Sequence, residues 1–169
     1  IVVLLYKYDL ENNLNNQKKF DELHQFVIND LKKVDFLIKE KIKNKINYIP
    51  DVASHLFKAG GKRIRPMLCL ACARLCNYKG LKHINLSACI EFIHTATLLH
   101  DDVIDESKKR RGVITANNIW GNKSSVLVGD FLLSKSFELM TEVENIEVLK
   151  VLSETSSIII EGEISQMIS

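Results

Sequence analysis

Two prolines and seven glycines are all that punctuate 169 residues. These residues build turns, and a β-sandwich or barrel needs many turns, so their scarcity points to a helical chain. Charge of one sign is also lacking. The 23 basic and 21 acidic residues leave a formal net charge of +2. That balance gives no global field to draw in nucleic acid, so a basic function has to be local. No apolar run approaches the ~20 residues that cross a bilayer as a helix. The opening Ile1-Val2-Val3-Leu4-Leu5 is too short, and it lacks the basic start and small-residue cleavage site of a secretory leader. The first residue is not Met, which leads to the expectation of an incomplete reading frame. Tryptophan occurs once, and Trp120 reads as a packing anchor. The four cysteines, Cys69, Cys72, Cys76 and Cys89, lie in apolar helical patterns without nearby ligand histidines. Cys69 and Cys72 keep CxxC spacing, so a redox pair stays open. The expectation is buried free thiols in a reducing compartment.

What is present suffices for one core. Residues 1–19 carry a short apolar run and a polar stretch, and little order is expected there. Residues 20–169 read as one all-α unit. From Phe20 an amphipathic pattern runs through Leu23, Val27, Leu31, Val34, Ile38, Ile42 and Ile49, stopping near Pro50. Asp51 is placed to cap a second helix, which Gly60-Gly61 ends. Arg65-Pro66 marks the start of a third helix reaching Cys76, so Lys62, Arg63 and Arg65 are expected on the loop before it. Glycines, cations and a helix N-terminus together make an anion site, or else simply a basic surface loop. A long helix over residues 84–106 follows, then a basic loop over residues 107–112. Ser124 is expected to cap the next helix, in which Gly129 suggests close helix contact. A last helix starts near Ile146. No strand pattern competes.

The central helix ends in Leu98-Leu99-His100-Asp101-Asp102-Val103-Ile104-Asp105. If it continues through Asp105, Asp101 and Asp105 are an i,i+4 pair on one face. Two carboxylates about 6 Å apart repel by roughly 3 kcal/mol at an effective dielectric of 20. A basic neighbour or a hard divalent cation such as magnesium would offset that. A solvated acidic helix end is the plain alternative. Against it, the acids follow a core-like segment and precede Lys108, Lys109, Arg110 and Arg111. His94 lies two turns before Asp101 and faces nearly the same way, as a core residue or as a ligand. His100 points to another face.

Taken together, Gly60-Gly61-Lys62-Arg63-Ile64-Arg65-Pro66, the segment from Glu91 to Asp105, Arg110-Arg111-Gly112, Ser125-Val126-Leu127-Val128-Gly129-Asp130 and Glu161-Gly162-Glu163 resemble the trans-isoprenyl diphosphate synthases. The long-chain polyprenyl members, of octaprenyl or decaprenyl type, are the most similar. The likeness covers roughly residues 21–169, and several ordered motifs make it far more specific than a lone DDxxD. The resemblance implies the N-terminal helices of an isoprenoid-synthase bundle. It implies Asp101, Asp102 and Asp105 as the catalytic carboxylates, with Asp101 and Asp105 binding Mg2+ that holds an allylic diphosphate. Arg110 would touch that diphosphate, while Lys62, Arg65, His94 and Arg111 would bind isopentenyl diphosphate. Ala96 and Thr97, about one turn deeper, would leave room for a growing tail and so set a long product. The implied role is prenyl transfer toward a quinone side chain such as that of ubiquinone. The implied place is the cytoplasm, with contact at the inner membrane.

The family's second aspartate-rich motif has no match here. A homodimer or a separately encoded C-terminal half is therefore expected as a partner, with the chain inactive alone. A non-catalytic helical subunit that keeps a diphosphate site is the alternative.

Overall fold

The computed structural model describes residues 13–58 and 61–168, and these are mainly helical. Among the described residues seven helices follow one another: α1 (Asn13–Ile42), α2 (Tyr48–Lys58), α3 (Ile64–Leu75), α4 (Lys82–Ile104), α5 (Ala116–Trp120), α6 (Asn122–Val143) and α7 (Ile146–Met167). Between α4 and α5 sits a two-stranded hairpin, β1 (Lys109–Arg110) and β2 (Val113–Ile114). The expectation of an all-α bundle holds. The expectations for residues 1–12 and Gly60 lie outside the described residues.

The first helix obeys its apolar spacing. Val27, Leu31, Val34, Ile38 and Ile42 recur three and four apart, and all are buried. It begins at Asn13, ahead of the expected Phe20, and it stops at Ile42 rather than near Pro50. Asn44 makes the break, its side chain accepting from the Ile46 N–H at 3.0 Å. Pro50 instead lies in the first turn of α2, where its missing N–H leaves no bond unmade. Asp51 is inside that turn and does not cap it; its own N–H bonds the Asn47 carbonyl.

The centre of the molecule is α4. Ala88, Phe92, Thr95, Leu99 and Asp102 form a buried stripe along it. It packs most extensively on α6, and also on α1 and α3. Small groups let α4 and α6 approach. A Cβ on Gly129 would lie 2.3 Å from His100 Nε2, so the close contact expected at that glycine is real. Ser125 Oγ donates to the Leu99 carbonyl at 3.0 Å across the same seam. Ser124 is within the first turn of α6 and makes no side-chain cap, because Gly121 holds the N-cap position. Its hydroxyl accepts from Tyr48 OH at 2.6 Å instead.

Three further expectations are corrected. The basic loop is a hairpin, with Arg111 (φ 52) and Gly112 (φ 81) as its two-residue turn. Positive φ at both centres is the turn whose twist suits a hairpin. Arg65 is helical, because α3 starts at Ile64, and only Gly61, Lys62 and Arg63 of the basic cluster precede it. The cysteines are free, but only Cys89 is buried; Cys69 is half-buried and Cys72 and Cys76 are exposed. Burial pushes the Cys89 thiol up to about 12 and raises Cys69 as well, so neither is an activated thiolate.

The last helix, α7, is capped by Asn145, whose side chain accepts from the Glu147 and Val148 N–H groups. None of its described residues is buried, although it carries Val151, Ile158, Ile159, Ile160 and Ile164. Among the described residues, no helix is long and apolar enough to cross a membrane.

Candidate active site

The end of α4 collects the carboxylates. Regular helix stops at Ile104, yet the Asp105 N–H still bonds the Asp101 carbonyl at 2.8 Å. The i,i+4 relation of Asp101 and Asp105 therefore survives the helix end. A helix C-terminus is the negative end of the dipole, so acids are unfavourable there without a cation. The surroundings of Asp101 also disfavour its anion. Burial raises its pKa first, Glu163 of α7 and Asp105 add to the rise, and Arg110 opposes them.

Asp102 faces the other way. It is 1% exposed, and Arg110 donates to its Oδ1 through both Nε and Nη2 at 2.9 Å. The helix turns 100° per residue, which moves Asp102 off the Asp101 face and onto the stripe of Thr95 and Leu99. Its carboxylate anchors an arginine and does not stand beside Asp101 and Asp105. The Asn117 side chain donates to its backbone carbonyl at 3.1 Å, tying α5 to the same point.

The cations come from two segments. Lys62 and Arg65 flank the start of α3, and Arg110 and Arg111 ride on the hairpin. Together with His94 and Leu98 of α4, and Leu56 and Phe57 of α2, Lys62, Arg65 and Arg111 line a cleft of about 380 Å³. The glycine at 61 matters here, because a Cβ on it would sit 3.0 Å from Arg111 Nη1. His94 records the convergence. Burial, then Arg65, Arg111 and Arg110, lower its pKa to about 4, so it is neutral at pH 7. It can offer or accept a hydrogen bond there, with the arginines supplying the charge.

Arg63 and Glu91 line the same cleft, but as an ion pair with each other. Arg63 takes a left-handed backbone (φ 51) and donates to Glu91 at 2.5 Å. It also reaches Asp35 at 3.5 Å and lies over the Phe57 ring. Both Glu91 and Glu163 went unassigned in the sequence reading. The signal for Glu91 was a charge in an apolar helix, where a buried acid demands a partner.

Ala96 and Thr97, the residues expected to set chain length, are divided. Thr97, four residues before Asp101, shares its side of α4 and is half-buried. Ala96 is 2% exposed and belongs to the core.

No group of three or more His, Cys, Asp or Glu side chains among the described residues is placed to hold a metal. Asp101 and Asp105 alone still suit a hard divalent cation that takes its remaining ligands from diphosphate and water, the usual habit of magnesium. The raised Asp101 pKa is what such a cation would relieve.

Residues 46–169 match the family model described as polyprenyl synthetase. The octaprenyl diphosphate synthase of Escherichia coli is 43% identical over 149 residues, which are 88% of this chain and 46% of that protein. A decaprenyl diphosphate synthase structure from Rhodobacter capsulatus superposes with a TM-score of 0.83 at 53% identity, covering 86% of this chain and 45% of that one. A polyprenyl synthase from Caulobacter crescentus, complexed with calcium and isoprenyl diphosphate, gives the same TM-score at 46% identity, covering 86% and 44%. The chain thus spans about half the length of the relatives it matches.

Proposed function

Because the chain belongs to the polyprenyl synthetase family, we propose that its site takes part in condensing isopentenyl diphosphate with an allylic diphosphate. The product would be a long-chain polyprenyl diphosphate, of a length suited to a quinone side chain. The observation that carries the proposal is the convergence of Arg65, Arg110 and Arg111 on a neutral His94 beside paired carboxylates. Arg110 is already paired with Asp102, but a cleft lined by Lys62, Arg65 and Arg111 suits a diphosphate better than a neutral ligand.

In this reading Asp101 and Asp105 would hold Mg2+, which screens the charge that develops on the leaving diphosphate. Arg110, held in place by Asp102, contacts the allylic diphosphate. Lys62, Arg65 and Arg111 bind the diphosphate of isopentenyl diphosphate, and His94 adds a hydrogen bond. The allylic carbon–oxygen bond breaks with its electron pair leaving on pyrophosphate. The isopentenyl double bond then attacks the allylic cation, and the new bond's cation loses a proton to the departing pyrophosphate. The arginines are fixed before the reaction, so their charge costs no reorganisation when the bond breaks. Leu56, Phe57 and Leu98 exclude water from the cation.

Ala96 and Thr97 would govern product length, and their placement separates their effects. Thr97→Phe in a complete synthase is expected to shorten the product, read by chromatography of the released prenyl alcohols. Ala96→Phe adds overpacking of about 1–3 kcal/mol in the core, so its effect on length comes with lost stability.

The uncovered face of α7 favours a second element in this reading: a complementary helical half, on the same polypeptide or another. A magnesium-dependent assay of radiolabelled isopentenyl diphosphate incorporation, with and without a C-terminal half from a relative, tests the proposal. Label incorporated only with both halves supports it. No label in either case, with the two halves bound to each other, would leave a non-catalytic diphosphate-binding subunit.

A further inference from the structure

The hairpin carries two of the site's arginines, yet its own ladder is short. Arg110 and Val113 close it, and the next bonded rung joins the Thr115 N–H to the Lys108 carbonyl at 3.2 Å. Between these rungs Lys109 and Ile114 face each other as a pair whose N–H and C=O groups point outward. The Ile114 carbonyl therefore points out of the ladder, where a group from another element can reach it. His55 Nε2 is that group, donating at 2.7 Å. A carbonyl only accepts, so this bond places the His55 proton on Nε2. The same ring meets Trp120 of α5 edge-on, with centroids 5.2 Å apart. His55 and both arginines also line one small cavity of about 30 Å³.

We propose that His55 is a positioning residue, locking β2 so that Arg110 and Arg111 stand where a diphosphate needs them; this rests on the diphosphate reading above. Asp102 restrains the first strand through Arg110, and His55 restrains the second. Each strand is thus tied to a different helix, α4 and α2. A hairpin of two residues per strand has too few bonds of its own to hold two repelling guanidinium groups in register.

The test uses this chain with two variants. His55→Phe keeps a ring against Trp120 and loses the donor. His55→Gln restores a donor at similar reach. The first readout is tryptic cleavage after Lys108, Lys109, Arg110 and Arg111, mapped by mass spectrometry. The second is calorimetric affinity for magnesium pyrophosphate. His55→Phe is expected to be cut in the hairpin up to tenfold faster and to bind up to tenfold more weakly, the upper end for losing one net hydrogen bond. His55→Gln is expected to recover most of both. If hairpin cleavage is unchanged in His55→Phe, the lock does not exist. If cleavage speeds up while affinity matches the wild type, His55 is structural only and the positioning role is overturned. If the wild-type chain binds no pyrophosphate at all, the diphosphate reading itself fails, and this inference fails with it.

Discussion

Asp102 illustrates how one residue's direction decides its work. Its neighbours Asp101 and Asp105 face the open side, but Asp102 continues the buried stripe Ala88, Phe92, Thr95 and Leu99. A buried carboxylate survives only with a partner, and Arg110 is that partner. Asp102→Ala is expected to lower stability by about 3 kcal/mol, the low end for breaking a buried pair because Arg110 keeps some contact with water. Urea unfolding followed by Trp120 fluorescence measures it. His94 makes a pH prediction. Its folded pKa is about 4 and an unfolded histidine titrates near 6.5. Between those values the unfolded chain holds a proton that the folded chain lacks, so stability falls as pH drops through that window. Asp30 extends the loss. Burial alone would raise its pKa, but hydrogen bonds from Lys33 and Arg74 hold it at about 2. Its contribution is present above 3.8 and fades as pH falls toward 2. Raised Asp101 acts in the opposite sense. His94→Gln is therefore the variant to compare: its urea midpoint is expected to vary less between pH 6.5 and 4 than that of the wild type.

At the scale of elements, the hairpin is the part most exposed to a single change. Gly112 has φ +81 with nothing near its missing Cβ, so the cost of Gly112→Ala is purely one of backbone. That cost is about 1–2 kcal/mol for an L-residue in the left-handed region. Hydrogen exchange at the Thr115 N–H is expected to speed up by roughly tenfold. This element was also the least legible in the sequence. Two residues per strand show no alternation, and Lys109-Arg110 looks like any basic loop. The helices were legible, because Val27 to Ile42 and Ala88 to Leu99 recur at helical spacing. Their ends were less so. Pro50 was read as a stop when it serves as a start, and only the Asn44 turn separates the two outcomes. The paired Asp101 and Asp105 were plain from spacing alone. The inward turn of Asp102 follows from the same periodicity, but the DDxxD pattern drew all three acids together.

Across the whole molecule, charge and grease are separated. Among the described residues α1, α2, α3, α5 and α6 close a core around α4, the site's cations and acids gather towards its C-terminal end, and α7 leaves most of its apolar residues uncovered. The chain spans about half the length of the relatives it matches. The residues proposed to hold a diphosphate all lie on α2, α3, α4 and the hairpin, so the proposal can be tested on this chain alone.

The direct measurement of that capacity is a calorimetric titration with pyrophosphate, with and without magnesium, on the wild type and on Asp101→Asn. The account predicts binding that strengthens at least tenfold when magnesium is added, with Asp101→Asn losing most of that gain. Equal affinity with and without magnesium, or an Asp101→Asn variant that responds to the metal as the wild type does, would contradict it.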